Sequence, residues 1–431
     1  MRNHISTKHA IAPSIQPLTS LGTSPSVSFK FHFPSSFLWG AAISSYQTEG
    51  ANYNSDWYVF EKEKKIQEAA RAANHYELFS KDFKLAKELN LKAVRLSFEW
   101  ARINPKPGVY LEEEINHYKE VIQTLKILDL KPFVTLHHFT NPIWFAQSGS
   151  FQSSKNIDYF LGYLKRIVEE FKDDIQHWLI FNEPLVYVYN GYICGRWAPG
   201  VKSIRTAQKV LRNVISAYID GYKEIKNIYK EDNIPSYVSV VNHIRKFSPC
   251  PSFNFGQNSI SAYFKNKISN FDIIDYLTKK TSLDYLAVNY YCKEYVKFKG
   301  LIGCECPHQF HKERKNYLGW YIYPQGLYEL LKKLKGYNLP IYVMENGSAE
   351  TEDSLYKEYL FSHLKCVARA MSEGIDIRGY FWWSLIDNFE WDKGFGPRFG
   401  LIDVNYDTFE RRIKPFAYEY AKICKENKIE I

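Results

Sequence analysis

The sequence predicts one α/β domain, a single (β/α)8 TIM barrel, and three observations carry that expectation. Eight short apolar runs of strand type alternate with longer stretches whose apolar residues recur every three to four positions. The runs are near-continuous rather than alternating, as parallel strands covered on both faces should be. No glycine-rich phosphate loop follows the first run, Phe37–Ala42, where a doubly wound nucleotide-binding sheet would need one. At 431 residues the chain is long for one domain, but α/β barrels reach that size as single units.

The expected strands are, in order, 37–42 (FLWGAA), 92–97 (KAVRLS), 131–138 (KPFVTLHH), 177–183 (HWLIFNE), 236–243 (SYVSVVNH), 284–291 (DYLAVNYY), 340–346 (PIYVMEN) and 378–385 (RGYFWWSL). Helices are expected at 76–90, 114–129, 157–172, 205–230, 271–279, 325–336 and 355–373. In the second of these, Ile115, Tyr118, Ile122, Leu125 and Leu128 make one apolar stripe. Pro324 and Asp353-Ser354 stand where helix N-termini carry such residues. No low-complexity linker interrupts the alternation, so 31–431 reads as one catalytic domain. Residues 1–30 read as a disordered extension. Up to residue 27 they are rich in Ser, Thr and Pro, free of acidic residues, and without the continuous apolar segment of a secretory signal. An acid-free, serine-rich start is also similar to an organellar leader.

Composition excludes several classes. With 45% hydrophobic and 24% charged residues the chain can bury a large core. The net charge is +9, but the lysines are scattered and form no dense basic block, so no nucleic-acid partner is expected. No run of about 18 apolar residues occurs, so no membrane span is expected. The seven cysteines form no CxxC pair, and Cys304-Glu-Cys306 has the wrong spacing for a metal site. Reduced thiols and a cytoplasmic location follow as the expectation.

Two glutamates close strand-type runs: Glu183 in Phe181-Asn182-Glu183-Pro184, and Glu345 in Met344-Glu345-Asn346-Gly347. A barrel of parallel strands carries its functional groups at the strands' carboxyl ends. Two carboxylates facing each other there are what acid-assisted cleavage of a glycosidic bond requires. One such glutamate alone is as readily a turn or cap residue. Repetition argues against that reading: Arg95, His138, Asn182, Asn289, Tyr291 and Trp383 also stand at or near strand ends.

The segments Phe37–Ala42 with Tyr46–Gly50, Arg95-Leu-Ser97 with Trp100, Thr135–His138, Phe181–Pro184, Asn289-Tyr-Tyr291, Gly319-Trp320, Glu345-Asn-Gly347, Phe381–Trp391 and Arg398–Leu401 come in a characteristic order. Together they resemble glycoside hydrolase family 1, the β-glucosidase and β-galactosidase family, over roughly residues 31–428. The resemblance implies a barrel with retaining chemistry and no metal or organic cofactor. It implies Glu183 as general acid/base and Glu345 as nucleophile, with Arg95 and Tyr291 holding Glu345 as an anion. Gln47, His138, Asn182 and Glu390 match residues that hydrogen-bond the terminal sugar. Trp383 and Trp391 match its stacking floor, Trp320 the wall on the leaving-group side, and Asn289 a support for Tyr291 and the sugar. His137 should point away from His138 across the strand.

Glu390 stands where relatives acting on 6-phosphorylated glycosides tend to carry a small hydroxyl residue, which favours an unmodified sugar; Lys393 nearby keeps the phosphorylated option open. Met344, Phe139 and Gly149-Ser-Phe151 depart from the family's usual residues, and the loops after strands five and six are short. The implied activity is that of a retaining exo-β-glycosidase on a small β-glycoside or oligosaccharide, releasing a terminal glucosyl, galactosyl or fucosyl unit. A transglycosidase on the same scaffold and a non-catalytic sugar-binding relative are the alternatives.

Overall fold

A computed structural model describes residues 29–252, 254–300, 303–306 and 313–430. Eight strands form the barrel: β1 (Leu38–Ala42), β2 (Ala93–Ser97), β3 (Lys131–His137), β4 (His177–Asn182), β5 (Tyr237–Pro249), β6 (Leu286–Lys297), β7 (Ile341–Asn346) and β8 (Ile377–Trp383). Every neighbouring pair is parallel, β1 pairs with β8, and a β5–β6 pairing completes the closed ring. The helices alternate with them: α1 (His75–Glu88), α2 (Glu112–Ile127), α3 (Ile157–Phe171), α4 (Ile204–Glu231), α5 (Asp272–Lys279), α6 (Pro324–Leu334), α7 (Asp353–Ser372) and α8 (Pro415–Glu426). The chain is therefore the (β/α)8 barrel that its alternating pattern predicts.

The lumen is packed below the rim. The strands send inward residues into a shared layer, among them Ala93, Phe133, Leu179, Val241, Ala287, Tyr342 and Phe381. The Phe381 ring lies against Gly40, where a Cβ would come within 2.5 Å of it, so glycine there makes room for the aromatic. Outside the ring, each helix presses its apolar stripe onto the strands. In α3 that stripe is Phe160, Tyr163, Leu164, Ile167, Val168 and Phe171, all buried. The lower lumen is thus a plug of mainly apolar side chains, with His177 at the start of β4 packed on Phe133.

Several features depart from expectation. β5 and β6 run on to Pro249 and Lys297, past the rim, where Cys304–Glu305 pairs antiparallel with the end of β6. Cys250 and Cys306 form a disulfide there, which corrects the expectation of seven reduced thiols. The two are 56 residues apart, so no spacing motif marks them. The argument from reduced thiols to a cytoplasmic location loses its ground. The helix Gln257–Asn270 was not expected, because its exposed face carries apolar residues and blurs the stripe. Of the extension expected at 1–30, residues 1–28 lie outside the described residues; Lys30 begins a short strand, Lys30–His32, paired with Lys428–Glu430. Among the described residues no helix is long and apolar enough to cross a membrane.

Truncating Phe381 would open a cavity in the packed layer. Phe381→Ala should cost about 3–5 kcal/mol of stability, read as a clear fall in the thermal unfolding midpoint. An unchanged midpoint would show that the lumen layer does not hold the barrel.

Candidate active site

Strict alternation along a strand does not bring the two glutamates to the barrel axis. In β7, Tyr342 and Met344 belong to the lumen layer, so the next inward position would be Asn346. Both neighbouring strands record one extra residue in β7: Tyr380 and Trp382 of β8 face Val343 and Asn346, and Val288 and Asn289 of β6 face Val343 and Glu345. That bulge turns Glu345 inward. It sends Asn346 outward, where its amide donates to Tyr290 O (2.6 Å) and its Oδ1 accepts from the Tyr380 hydroxyl (2.7 Å). β4 carries a second bulge between Leu179 and Asn182 against β5. Glu183 follows it with φ of 42°, a left-handed conformation that costs a non-glycine residue about 1–3 kcal/mol. Pro184 then opens the short helix Pro184–Val188, its fixed φ suited to the first helical position.

Glu183 and Glu345 line one cavity of about 100 Å³, together with Gln47, His138, Asn182, Tyr291, Trp320, Trp383, Glu390 and Trp391. Arg95 and Asn289 lie buried beneath it. The structure therefore brings the expected site residues together at one rim. His137 faces the other way, onto Phe151, Phe160 and Phe181, with Nε2 at 3.1 Å from Asn141 Oδ1.

A continuous hydrogen-bond circuit joins the two carboxyls. Arg95 Nη1 donates to Glu345 Oε1, and the Tyr291 hydroxyl donates to Glu345 Oε2. Arg95 Nη2 donates to Asn182 Oδ1 at 2.7 Å. Asn289 Nδ2 donates to the same oxygen at 3.4 Å and to Glu183 Oε1 at 2.6 Å. Asn289, expected to support Tyr291 and the sugar, shares one face of β6 with Tyr291 and donates its amide to Asn182 and Glu183. The circuit treats the two carboxyls unequally. Glu345 has a guanidinium and a phenol on it, whereas Glu183 has one amide.

The electrostatics follow from that inequality. Burial raises the Glu183 carboxyl to about 8, reinforced by the Glu345 charge and opposed by Asn289, Arg245 and Arg95. Burial also raises Glu345, while Arg95, Tyr291 and Asn289 pull the other way. Glu345 is consequently the carboxyl that loses its proton first. Burial and the nearby Glu345 hold the Tyr291 phenol protonated, as its donation requires. Burial keeps His138 neutral, and its Nε2 accepts from Asn182 Nδ2 at 3.1 Å.

On the far side of the pocket, Gln47 Nε2 donates to Phe389 O at 2.8 Å and reaches Glu390 Oε2 at 3.3 Å, while its Oε1 accepts from the Ser44 hydroxyl at 2.8 Å. Burial, then Glu345, Asp392 and Glu183, raise Glu390 to about 8. Lys393 pairs with Asp392 at 2.7 Å and is half exposed. The aromatic floor is continuous: Trp391 stacks on Tyr46, and both Trp383 and Trp391 lie near-parallel to His138. Trp320 leans on Tyr291 with ring centres 5.6 Å apart.

Sequence reasoning missed His243, Arg245, Arg196 and Trp197, which also line the pocket. His243 Nδ1 is 3.7 Å from Glu183 Oε2, and burial keeps this imidazole neutral. The signal was present, since His243 ends the run 236–243, where a rim residue belongs. Arg245 follows two positions on, along the same strand face. No group of three or more metal-ligating side chains occurs among the described residues.

A closed parallel barrel with two unequal carboxyls above an aromatic floor defines a glycoside-cleaving class of site. Comparison with known proteins agrees. The chain belongs to Glycosyl hydrolase family 1, whose pattern matches residues 29–252 and 254–429. β-Glucosidase A of Acetivibrio thermocellus is 30% identical, covering 92% of this chain and 99% of that protein. A β-glycosidase from Pyrococcus horikoshii superposes with a TM-score of 0.87 at 34% identity, over 93% of this chain and 96% of that one. A β-glucosidase from Thermotoga maritima, solved in complex with glucoimidazole, gives 0.85 at 28% identity over 92% and 99%. The chain is a glycoside hydrolase.

The raised Glu183 carboxyl has a stability consequence. Unfolded, it titrates near 4.5; folded, near 8. The folded state therefore keeps a proton that the unfolded chain releases. The favourable contribution is complete below about 4.5 and is lost as pH rises through about 8. Glu183→Gln removes this dependence, so its melting midpoint should gain on that of the wild type more at pH 9 than at pH 5. Equal gaps at both pH values would contradict the raised carboxyl.

Proposed function

We propose that this enzyme is a retaining exo-β-glycosidase that removes one unmodified terminal β-glycosyl unit by double displacement. The observation that carries the reading is the unequal treatment of two carboxyls in one pocket, Glu345 under Arg95 and Tyr291, Glu183 with a raised affinity for its proton. In the first step a Glu345 oxygen bonds to the anomeric carbon as the bond to the leaving oxygen breaks. That oxygen takes the Glu183 proton. Glycosylation removes the Glu345 charge, and Glu183, now ionised, accepts a proton from water. The water oxygen bonds to the anomeric carbon, the ester bond to Glu345 breaks, and both side chains return to their starting states. Two inversions give net retention.

The small pocket volume of about 100 Å³ supports removal of a single terminal unit. Gln47, His138, Asn182 and Glu390 offer the mixed donors and acceptors that vicinal hydroxyls need, and Trp383 and Trp391 offer ring faces for the sugar's C–H surface. The Glu345 charge in the pocket, with Lys393 occupied by Asp392, disfavours a phosphorylated sugar. Neutral β-glucosides, β-galactosides and β-fucosides are the substrates we assign.

Glu345→Gln should lower kcat on nitrophenyl β-glycosides by more than about 10³-fold, since a carboxamide cannot form the intermediate. Glu183→Ala should lose about 10²–10⁴-fold on alkyl glycosides and far less in glycosylation by activated aryl glycosides, whose leaving groups need little protonation. Equal losses on both would overturn the acid/base assignment. The basic limb of kcat/KM should fall near pH 8 as Glu183 loses its proton. In Arg245→Met it should move upward, because removing a cation favours the protonated acid. A downward shift would contradict the electrostatic account.

A further inference from the structure

β6 outlasts its neighbour. The ladder between β6 and β7 records its last pair at Asn289 and Glu345, and β7 ends at Asn346, whereas β6 runs on to Lys297. Tyr291, the phenol that donates to Glu345, therefore stands two residues past the last pairing, with no β7 residue opposite. Its carbonyl accepts instead from the Tyr359 hydroxyl of α7, at 3.2 Å. The same hydroxyl accepts from Asn346 Nδ2 at 2.9 Å. Asn346 is held in turn by the Tyr380 hydroxyl of β8 (2.7 Å) and by Tyr290 O (2.6 Å).

These contacts close a ring around the nucleophile. From Glu345 it passes along the chain to Asn346, across to the Tyr359 hydroxyl, on to the Tyr291 backbone, and back through the Tyr291 phenol to Glu345. One hydroxyl outside the barrel wall thus links the residue after the nucleophile to the backbone of the nucleophile's donor. A tyrosine on the inner face of a barrel helix is ordinarily a packing residue, and phenylalanine would fill nearly the same volume. Three features favour the hydroxyl. It finds a donor and an acceptor at the point where the ladder stops supplying partners to the backbone. Tyr359, Asn346 and Tyr291 are all buried, which shields both bonds from solvent. The Tyr359 ring is itself fixed, since His363 one turn on stacks on it with ring centres 3.8 Å apart and its Nδ1 lies 2.8 Å from Tyr359 O. Burial holds the Tyr359 phenol protonated, as donation requires. Around Glu345 stand Arg95 of β2, Asn289 and Tyr291 of β6, Glu183 after β4 and Glu390 beyond β8, with the neutral His138 after β3 in the same pocket. Tyr359 acts on this set through Tyr291.

We propose that Tyr359 is a positioning residue for the nucleophile: its hydroxyl replaces the missing β7 neighbour, fixes the Tyr291 backbone, and so sets the donation of the Tyr291 phenol to Glu345. The proposal rests on the reading of Glu345 as nucleophile. The test is the pH dependence of kcat/KM on nitrophenyl β-D-glucoside, whose acid limb reports ionisation of Glu345. Tyr359→Phe keeps the ring and its stack on His363, and Asn346 keeps Tyr290 O and Tyr380, so the fold survives. Weakening a hydrogen bond to the charged form raises a carboxyl's affinity for its proton. The limb should therefore move upward by about 0.4–1 pH unit, and kcat/KM on that limb should fall about three- to tenfold. Tyr291→Phe should move the limb the same way and at least as far. Adding Tyr359→Phe to Tyr291→Phe should then move it no further, because the two act through one bond. A Tyr359 that only packs would lower the thermal unfolding midpoint and leave the limb in place. An unmoved limb overturns the proposal, and so does a shift that recurs in full on the Tyr291→Phe background. Either result leaves wild-type turnover, and the catalytic reading, standing. Absence of wild-type turnover on every β-glycoside overturns the catalytic reading, and the role of Tyr359 with it.

Discussion

The Arg95–Glu345 ion pair is the constraint on which the rest of the site depends. Both side chains are buried, and neither charge is stable there without the other. Removing one partner of such a pair typically costs about 3–5 kcal/mol, because the survivor is left charged and dry. The pair also sets everything around it. Arg95 spends its remaining donors on Asn182 and Thr135, which fixes the amide next to Glu183 and ties β2 to β3. A charge held at Glu345 in turn raises the proton affinity of Glu183. One interaction between two strands thereby distributes opposite tasks to two chemically identical groups.

Backbone irregularity delivers both groups to the pocket. A regular barrel would seal itself with apolar side chains, as this one does through the layer containing Phe133 and Phe381. The transition from plug to pocket occurs where β4 and β7 each take in an extra residue. Gly347 marks how tight the second of these is, since a Cβ there would lie 1.9 Å from the Trp383 carbonyl oxygen. The floor tryptophan and the strand end bearing Glu345 are therefore in backbone contact. A change that relaxes the bulge would move the carboxyl and the stacking surface together.

Much of this is legible in the amino-acid sequence. Near-continuous apolar runs announce the parallel strands, and Glu183, Glu345, Arg95 and Tyr291 can be chosen because strand ends are where a barrel presents chemistry. What escapes the sequence is non-local. Nothing in a two-residue period says that Met344 is the extra residue that turns Glu345 inward. Cys250 and Cys306 meet only because β5 and β6 run on past the rim side by side. His243 was within reach of the strand-end argument, but Arg245 depends on that same continuation. Composition misled as well: an odd number of scattered cysteines reads as reduced until two segments converge.

The division of labour between Glu345 and Glu183 makes one stereochemical commitment. If Glu345 bonds to the anomeric carbon and water then displaces it from the opposite face, the released sugar must first appear as the β-anomer. Proton NMR of the anomeric region during the first minutes of nitrophenyl β-D-glucoside hydrolysis reads this directly, before mutarotation equilibrates the product. The account predicts a β-anomeric doublet that precedes the α. An initial α-anomer would mean a single displacement by water and would contradict the proposed role of Glu345.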